Sequence, residues 1–248
     1  MSEQQETFIS HLIELRDRVL RAVIAVGIAF LPCFYFARDL YTLLATPLLA
    51  KLPAGSHMIA TDVTGAFFVP MKVAMMVAFL IALPIVFYQV WAFVAPGLYQ
   101  HEKKLAIPLI VTSTLLFFVG MAFAYFAVFP MVFKFVVAYT PEGVSMMTDI
   151  NSYLSFVMTL FMAFGVTFET PIAVIILVRM GLVTVAKLRE IRPYVIVGAF
   201  ILGAVFTPPD VVSQFMLAVP IWVLYEVGIV LASMMGKGKT AEDRESPA

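Results

Sequence analysis

The sequence predicts an all-α polytopic membrane protein with six transmembrane helices, N- and C-termini cytoplasmic, two short final spans and a structured outer-face cap. Three observations lead there. Of 248 residues, 62% are apolar and 13% charged, with a mean hydropathy of +0.99; a soluble domain is about half apolar and a quarter charged. The apolar residues gather in runs, and about 20 of them at roughly 1.5 Å each suffice to cross a bilayer as a helix. Charges sit between the runs. An example is Pro96-Gly97-Leu98-Tyr99-Gln100-His101-Glu102-Lys103-Lys104, a polar break between apolar residues 73–95 and 105–128. The formal net charge is zero, so no general affinity for nucleic acid is implied.

The elements follow in order. Residues 6–21 have helical periodicity: Phe8, Leu12, Leu15 and Val19 form one stripe, with His11, Glu14 and Arg18 beside or opposite it. This predicts an amphipathic interfacial helix running into span 1 at about residues 22–37. Glu3, Glu6, Glu14 and Asp17 argue against a cleavable signal or transit peptide, so span 1 is expected to stay in the mature protein. A single cysteine, Cys33, excludes an intrachain disulfide. Residues 38–71 hold Pro47, Pro53, Gly55, Gly65 and Pro70 yet stay rich in Leu, Ala, Met and Phe. A freely solvated loop would be more polar, so short helices capping the outer face are expected.

Spans 2 and 3 are expected at about 71–95 and 105–129, with Pro84 and Pro108 bending or starting helices. Residues 130–152 return the chain to the outer face. Span 4 covers about 153–178 with Glu169 and Pro171 inside it, and residues 179–193 form a second inner loop. Span 5, at about 194–206, reaches only roughly 20 Å, short of a hydrocarbon core of roughly 30 Å. Span 6 follows at about 211–232 and contains Pro220 and Glu226. One integral membrane domain is expected over 1–235, with a disordered polar tail over 236–248.

Alternating the faces places twelve basic residues inside: Arg16, Arg18, Arg21, Lys103, Lys104, Arg179, Lys187, Arg189, Arg192, Lys237, Lys239 and Arg244. Only Arg38, Lys51, Lys72 and Lys134 fall outside. That asymmetry sets the orientation, because basic residues concentrate on the cytoplasmic side. No internal repeat and no GxxxG pair is found, so no specific helix-dimer face is indicated.

Residues able to carry chemistry are few. His101-Glu102 opens like HExxH, but position 105 is Leu, so the second zinc ligand is missing. There is no G-x-S-x-G, no P-loop and no Cys/His cluster; no catalytic residue, metal or cofactor is expected. Glu14 and Glu102 both fall at the inner interface. They either offset Arg16, Arg18, Lys103 and Lys104 as exposed pairs, or accept two cations of a peptide, for which two-bond pairing needs Arg rather than Lys. Glu169 lies in an apolar span, where an ionised acid is costly unless it faces protein or water, so it either serves a function or stitches helices together. Glu226, nearer the inner end, reads as structural. Asp210 follows Pro208-Pro209, where a carboxylate would cap span 6. Two other classes compete. A proton-coupled transporter using Glu169 and Glu226 predicts inverted repeats and broken helices in pairs, and none is found. A structural scaffold for other membrane subunits is the third.

The combination of motifs is specific. His11-Leu12-Ile13-Glu14-Leu15-Arg16, Met58-Ile59-Ala60-Thr61-Asp62, Tyr99-Gln100-His101-Glu102-Lys103-Lys104, Phe161-Met162-Ala163-Phe164-Gly165, Arg192-Pro193-Tyr194 and Thr207-Pro208-Pro209-Asp210 occur in one order around six spans. From about residue 8 to 235 the chain closely resembles the TatC family, the receptor subunit of the twin-arginine protein translocase. The resemblance implies a bacterial inner-membrane protein that binds twin-arginine signal peptides of folded precursors. It further implies recruitment of single-span TatA and TatB partners, homo-oligomers in the assembled complex, and transport driven by the proton-motive force without nucleotide. By motif, Glu14 and Glu102 would hold the twin arginines, Arg16 would shape the N-terminal patch, and Phe93 and Leu98 would belong to the same surface. Pro47 and Asp210 would matter on the outer side, and Glu169 would face a concave groove. Where some relatives have two arginines after the inner-loop glutamate, this chain has Lys103-Lys104, which keeps the charge.

Overall fold

Apolar runs become helices because a backbone without water must satisfy its own N–H and C=O groups. In a computed structural model of the chain, the residues described are 3–49, 58–62, 64–94, 103–138, 148–206 and 211–236. They form α1 (Glu3–Tyr35), α2 (Ala37–Leu49), β1 (Met58–Ile59), α3 (Gly65–Val94), α4 (Lys103–Phe123), α5 (Phe129–Ala138), β2 (Thr148–Asp149), α6 (Ile150–Phe168), α7 (Thr170–Arg179), α8 (Val185–Glu190), α9 (Arg192–Phe206) and α10 (Val211–Gly236). Among the described residues, five stretches are long and apolar enough to span a membrane: Ile9–Tyr35, Phe67–Val94, Ile107–Val132, Ile150–Arg179 and Gln214–Met234. Arg192–Phe206 is a shorter sixth. This is the six-helix polytopic fold the sequence predicts.

Several boundaries differ, for local reasons. The interfacial helix and span 1 are one unbroken helix of 33 residues, which Pro32 does not interrupt. Span 3 does not stop near residue 129. A π-helical turn, Ala124–Val128, carries it into α5, with the Phe129 N–H donating to the Ala124 carbonyl. Pro130, next in line, has no N–H to give. Residues 130–138, expected in the outer connection, are therefore helical. Of the two final spans expected to be short, α9 has 15 residues, about 22 Å, but α10 has 26, about 39 Å. Only the fifth span is short. The 236–248 tail lies outside the described residues beyond Gly236.

The chain forms two compact units, Met1–Thr114 with Thr140–Met158, and Leu115–Tyr139 with Thr159–Ala248. In the first unit α1 packs along α3 through small side chains. Buried Cys33, Ala74 and Ala78 meet there, flanked by Ala29, Phe30, Ala37, Leu40 and Val77. Small residues let two backbones approach closely, which is how helices associate where lipid is as apolar as leucine. The stripe Leu12, Leu15, Val19, read as the apolar side of an interfacial helix, is exposed. Trp91 Nε1–H donates to Ser113 Oγ at 2.9 Å, both buried, and ties α3 to α4.

The cap expected between spans 1 and 2 is built from α2 and a two-residue parallel pairing, Met58 beside Thr148 and Ile59 beside Asp149. Asp149 holds it. Its Oδ1 accepts from the Thr61 N–H (3.1 Å) and hydroxyl (2.7 Å), and its Oδ2 from the Ser152 N–H (2.9 Å) and hydroxyl (3.0 Å). One carboxylate therefore caps α6 and grips Thr61, two residues past β1 and 88 residues earlier. Asp62 caps the approach to α3, accepting from the Thr64 N–H and hydroxyl at 3.1 and 2.6 Å. Lys72 Nζ donates to Asn151 Oδ1 at 2.8 Å. The Ser152 N–H, then the Thr61 hydroxyl and N–H, hold the Asp149 carboxyl well below the usual range.

In the second unit, glycines permit close crossings. A Cβ on Gly120 would lie 2.5 Å from the Phe164 carbonyl oxygen, and one on Gly165 would lie 2.5 Å from the ring of Phe117, which is fully buried. This accounts for the final Gly of Phe161-Met162-Ala163-Phe164-Gly165. Val174, Leu188, Tyr225, Ile229 and Ala232 form a core that joins α7, α8 and α10.

Gly120→Ala should therefore lower stability by about 1–3 kcal/mol through overpacking against backbone. Gly27→Ala, with open space around the new Cβ, should be neutral or slightly stabilising; thermal unfolding in detergent compares them. The Asp149 pairing is stronger for the ionised group, so its stabilisation is present above the unfolded carboxyl pKa of about 3.9 and lost as pH falls below it. Protection factors at the Thr61 and Ser152 amides should hold level from pH 8 to pH 5 and fall below about pH 4, whereas Asp149→Ala should lower them throughout.

Candidate functional site

Because α1 is continuous, positions along it keep phase from the membrane segment to its N-terminal end. Steps of three and four residues connect His11, Glu14, Arg18, Ala22, Ala25, Ala29 and Cys33 on one face. The far end of that stripe is the small-residue seam with α3. The near end carries an imidazole, a carboxylate and a guanidinium. The last turn of α3 meets it there: the Phe93 ring stacks on His11, with centroids 4.4 Å apart and planes 18° from parallel. The structure thus brings Phe93 to the face that carries Glu14. His11 belongs to this surface through stacking rather than charge, and its helical spacing from Glu14 is the sequence signal for it.

Glu14 is bound by Arg18, whose Nε–H and Nη2–H both donate to Oε1, at 2.8 and 2.6 Å. The Glu14 side chain is 40% exposed and that of Arg18 21%. Arg16 lies about 200° round the helix from Glu14. It is largely exposed and pairs with Asp17 Oδ1 at 2.8 Å. Leu98, Glu102 and Asp210 lie outside the described residues. Pro47 falls within α2, and its side chain is likewise outside them.

Glu169 is in the second unit and 8% exposed. It marks a break the sequence did not reveal as such: α6 ends at Phe168 and α7 starts at Thr170. Pro171 cannot donate to the Thr167 carbonyl, and the Thr170 hydroxyl does so instead at 2.6 Å. The Glu169 N–H turns to the Val166 carbonyl at 3.1 Å, and the Glu169 carbonyl accepts from Ala173 at 3.0 Å. Glu226 is structural, as read from the sequence. It accepts from Arg192 Nη2 at 2.6 Å, while the Tyr225 hydroxyl donates to the Leu188 carbonyl at 2.8 Å. Together they fasten α8 and the start of α9 to α10, which explains Arg192 in Arg192-Pro193-Tyr194. With Glu226 tied to Arg192, one of the two carboxylates a proton carrier would need has a structural partner. Among the described residues no group of three or more His, Cys, Asp or Glu is placed to hold a metal. The α1 surface offers a carboxylate beside a ring, which suits binding a cation.

Known proteins resemble the chain along nearly its whole length. The family described as TatC, Sec-independent protein translocase protein, matches residues 10–220. The Sec-independent protein translocase protein TatC of Azotobacter chroococcum mcd 1 is 54% identical over 247 residues, covering 100% of this chain and 94% of that protein. Its namesake in Escherichia coli (strain K12) is 53% identical over 242 residues, covering 97% and 94%. A crystal structure described as the twin arginine translocase receptor TatC superposes with a TM-score of 0.79 at 39% identity, over 90% of this chain and 98% of that one.

The His11–Phe93 stack should be measurable as coupling. A double-mutant cycle with His11→Ala and Phe93→Ala, read by unfolding in detergent, should return about 0.5–1.5 kcal/mol of interaction. His11→Phe should retain most of it.

Proposed function

Because the chain belongs to the TatC family of Sec-independent protein translocase proteins, we propose that it is the subunit that reads twin-arginine signal peptides of folded precursors. As a family member it is a multi-pass bacterial inner-membrane protein, a translocase component working in a complex, and not an enzyme. Glu14 and Glu102 hold the two arginines at the cytoplasmic face, Arg16 shapes the N-terminal patch, and Phe93 and Leu98 complete the surface. Both termini are cytoplasmic, as the twelve-to-four basic asymmetry supports. Residues 1–235 act as one integral membrane domain with a polar tail. TatA and TatB-type single-span subunits join it, several copies assemble, and the proton-motive force drives export. Pro47 and Asp210 serve the outer side, and Glu169 lines an intramembrane groove.

The observation that carries the reading is the register of α1, which sets the Glu14 carboxylate on the face that Phe93 closes. Magnitude limits what the carboxylates can do. Two charge-assisted pairs at about 1.5–3 kcal/mol each give roughly 3–6 kcal/mol, which is binding on the order of several millimolar to tens of micromolar. They select a signal but do not hold it. The signal's apolar segment supplies the remainder by burial, at about 25 cal/mol per Å². Binding is then two-stage, electrostatic reading followed by insertion of the apolar segment as a hairpin.

Glu102→Ala should abolish crosslinking of a twin-arginine signal to the loop at 96–104 and weaken binding about 10- to 100-fold. Unchanged crosslinking in the Glu14→Ala/Glu102→Ala double variant would refute the reading.

A further inference from the structure

Gln89 carries an unmet polar atom. It is 8% exposed, and its side-chain Oε1, cut off from solvent, accepts no hydrogen bond among the described residues. A buried carbonyl without a donor bears its desolvation with nothing in return. Its place in α3 says which side it is on. Gln89 lies eleven residues after Ala78 and four before Phe93, hence within about 20° and 40° of them round the helix. Ala78 meets Cys33 and Phe93 meets His11, so α1 and α3 run antiparallel and Gln89 is on the side toward α1.

The level along the axis follows in the same way. Gln89 is about 6 Å from the level of Phe93, while Glu14 and Arg18 are about 4.5 and 10.5 Å from the level of His11. Gln89 therefore falls opposite the stretch of α1 between that carboxylate and that guanidinium. Arg18 is held against the protein, with its side chain 21% exposed. Its Nε and Nη2 donate to Glu14 Oε1, and its Nη1 has no acceptor among the described residues. An arriving guanidinium makes two parallel bonds with both carboxylate oxygens, and Oε1 is taken. Arg18 must then let go, which is costly for a partly buried guanidinium unless another acceptor stands ready.

We propose that Gln89 is a positioning residue for peptide binding, whose carbonyl receives Arg18 when the arginine of an incoming peptide takes Glu14. This rests on the reading of Glu14 as a peptide-binding carboxylate. The guanidinium passes from one acceptor to the next, and the orphaned oxygen of Gln89 gains the donor it lacks in the empty site.

The test measures binding of a fluorescent peptide, Arg-Arg ahead of an apolar segment, to the full chain in lipid nanodiscs. Gln89→Met keeps the volume and removes the acceptor. It should leave the melting temperature unchanged or raised, because it deletes an unmet group, and should weaken peptide binding roughly three- to tenfold. In an Arg18→Met background there is no guanidinium to receive, and Gln89→Met should leave binding unchanged. Gln89→Glu keeps an acceptor and should bind the peptide at least as tightly as the native chain. Equal weakening by Gln89→Met in both backgrounds would show that Gln89 touches the peptide itself or only shapes the seam. That result, no weakening, a lower melting temperature in Gln89→Met, or lost binding in Gln89→Glu overturns the proposal. Glu14→Gln separates the two levels. If it leaves peptide binding intact, the reading of Glu14 itself fails; if it weakens binding while Gln89→Met does not, only the role of Gln89 fails.

Discussion

Close contact between α1 and α3, made through Ala29, Cys33, Ala74 and Ala78, sets where the chemistry of the first unit sits. A helix is a rigid ruler, so fixing its phase in the membrane segment fixes it four turns away. The same face that brings Cys33 to Ala78 delivers His11 to Phe93 and presents Glu14 with Arg18 at its side. A substitution that enlarged the seam would move the carboxylate although it lies far from it. Sequence, packing and site are here one continuous statement about helical register.

Elsewhere, polar side chains replace what backbone geometry leaves unmade. Asp149 caps one helix and holds Thr61. The Thr170 hydroxyl supplies the donor that Pro171 lacks, and Arg192 with Glu226 fastens the short α9 to α10. In an apolar environment an unsatisfied group costs several kcal/mol. These few polar contacts therefore fall at breaks, ends and turns, while the long segments between them are held by shape, as at Gly120 and Gly165.

Much of the fold was legible. Hydropathy gave six helices, the short fifth span and the cap, and the motif series pointed to the family that the comparisons support. What stayed hidden has physical causes. Phe8, Leu12, Leu15 and Val19 read as the apolar stripe of an interfacial helix, and Leu12, Leu15 and Val19 are exposed accordingly; the hidden feature was the seam with α3. In water such a stripe seeks the core, but lipid accepts it equally well, and small residues mark the contact instead. The grip of Asp149 on Thr61 spans 88 residues, beyond any local periodicity. The break at Glu169 needed the pairing of Thr170 with Pro171 to be recognised. Of the residues proposed to bind the peptide, Glu14, Arg16 and Phe93 fall among the described residues, whereas Leu98 and Glu102 lie outside them.

The most direct measurement is an experimental structure of the full chain with a twin-arginine peptide bound in lipid. The account requires one guanidinium on the Glu14 carboxylate, the adjacent guanidinium on Glu102, and the peptide passing beside Phe93. A peptide whose arginines rest on other groups, with the Glu14–Arg18 pair intact, would contradict it.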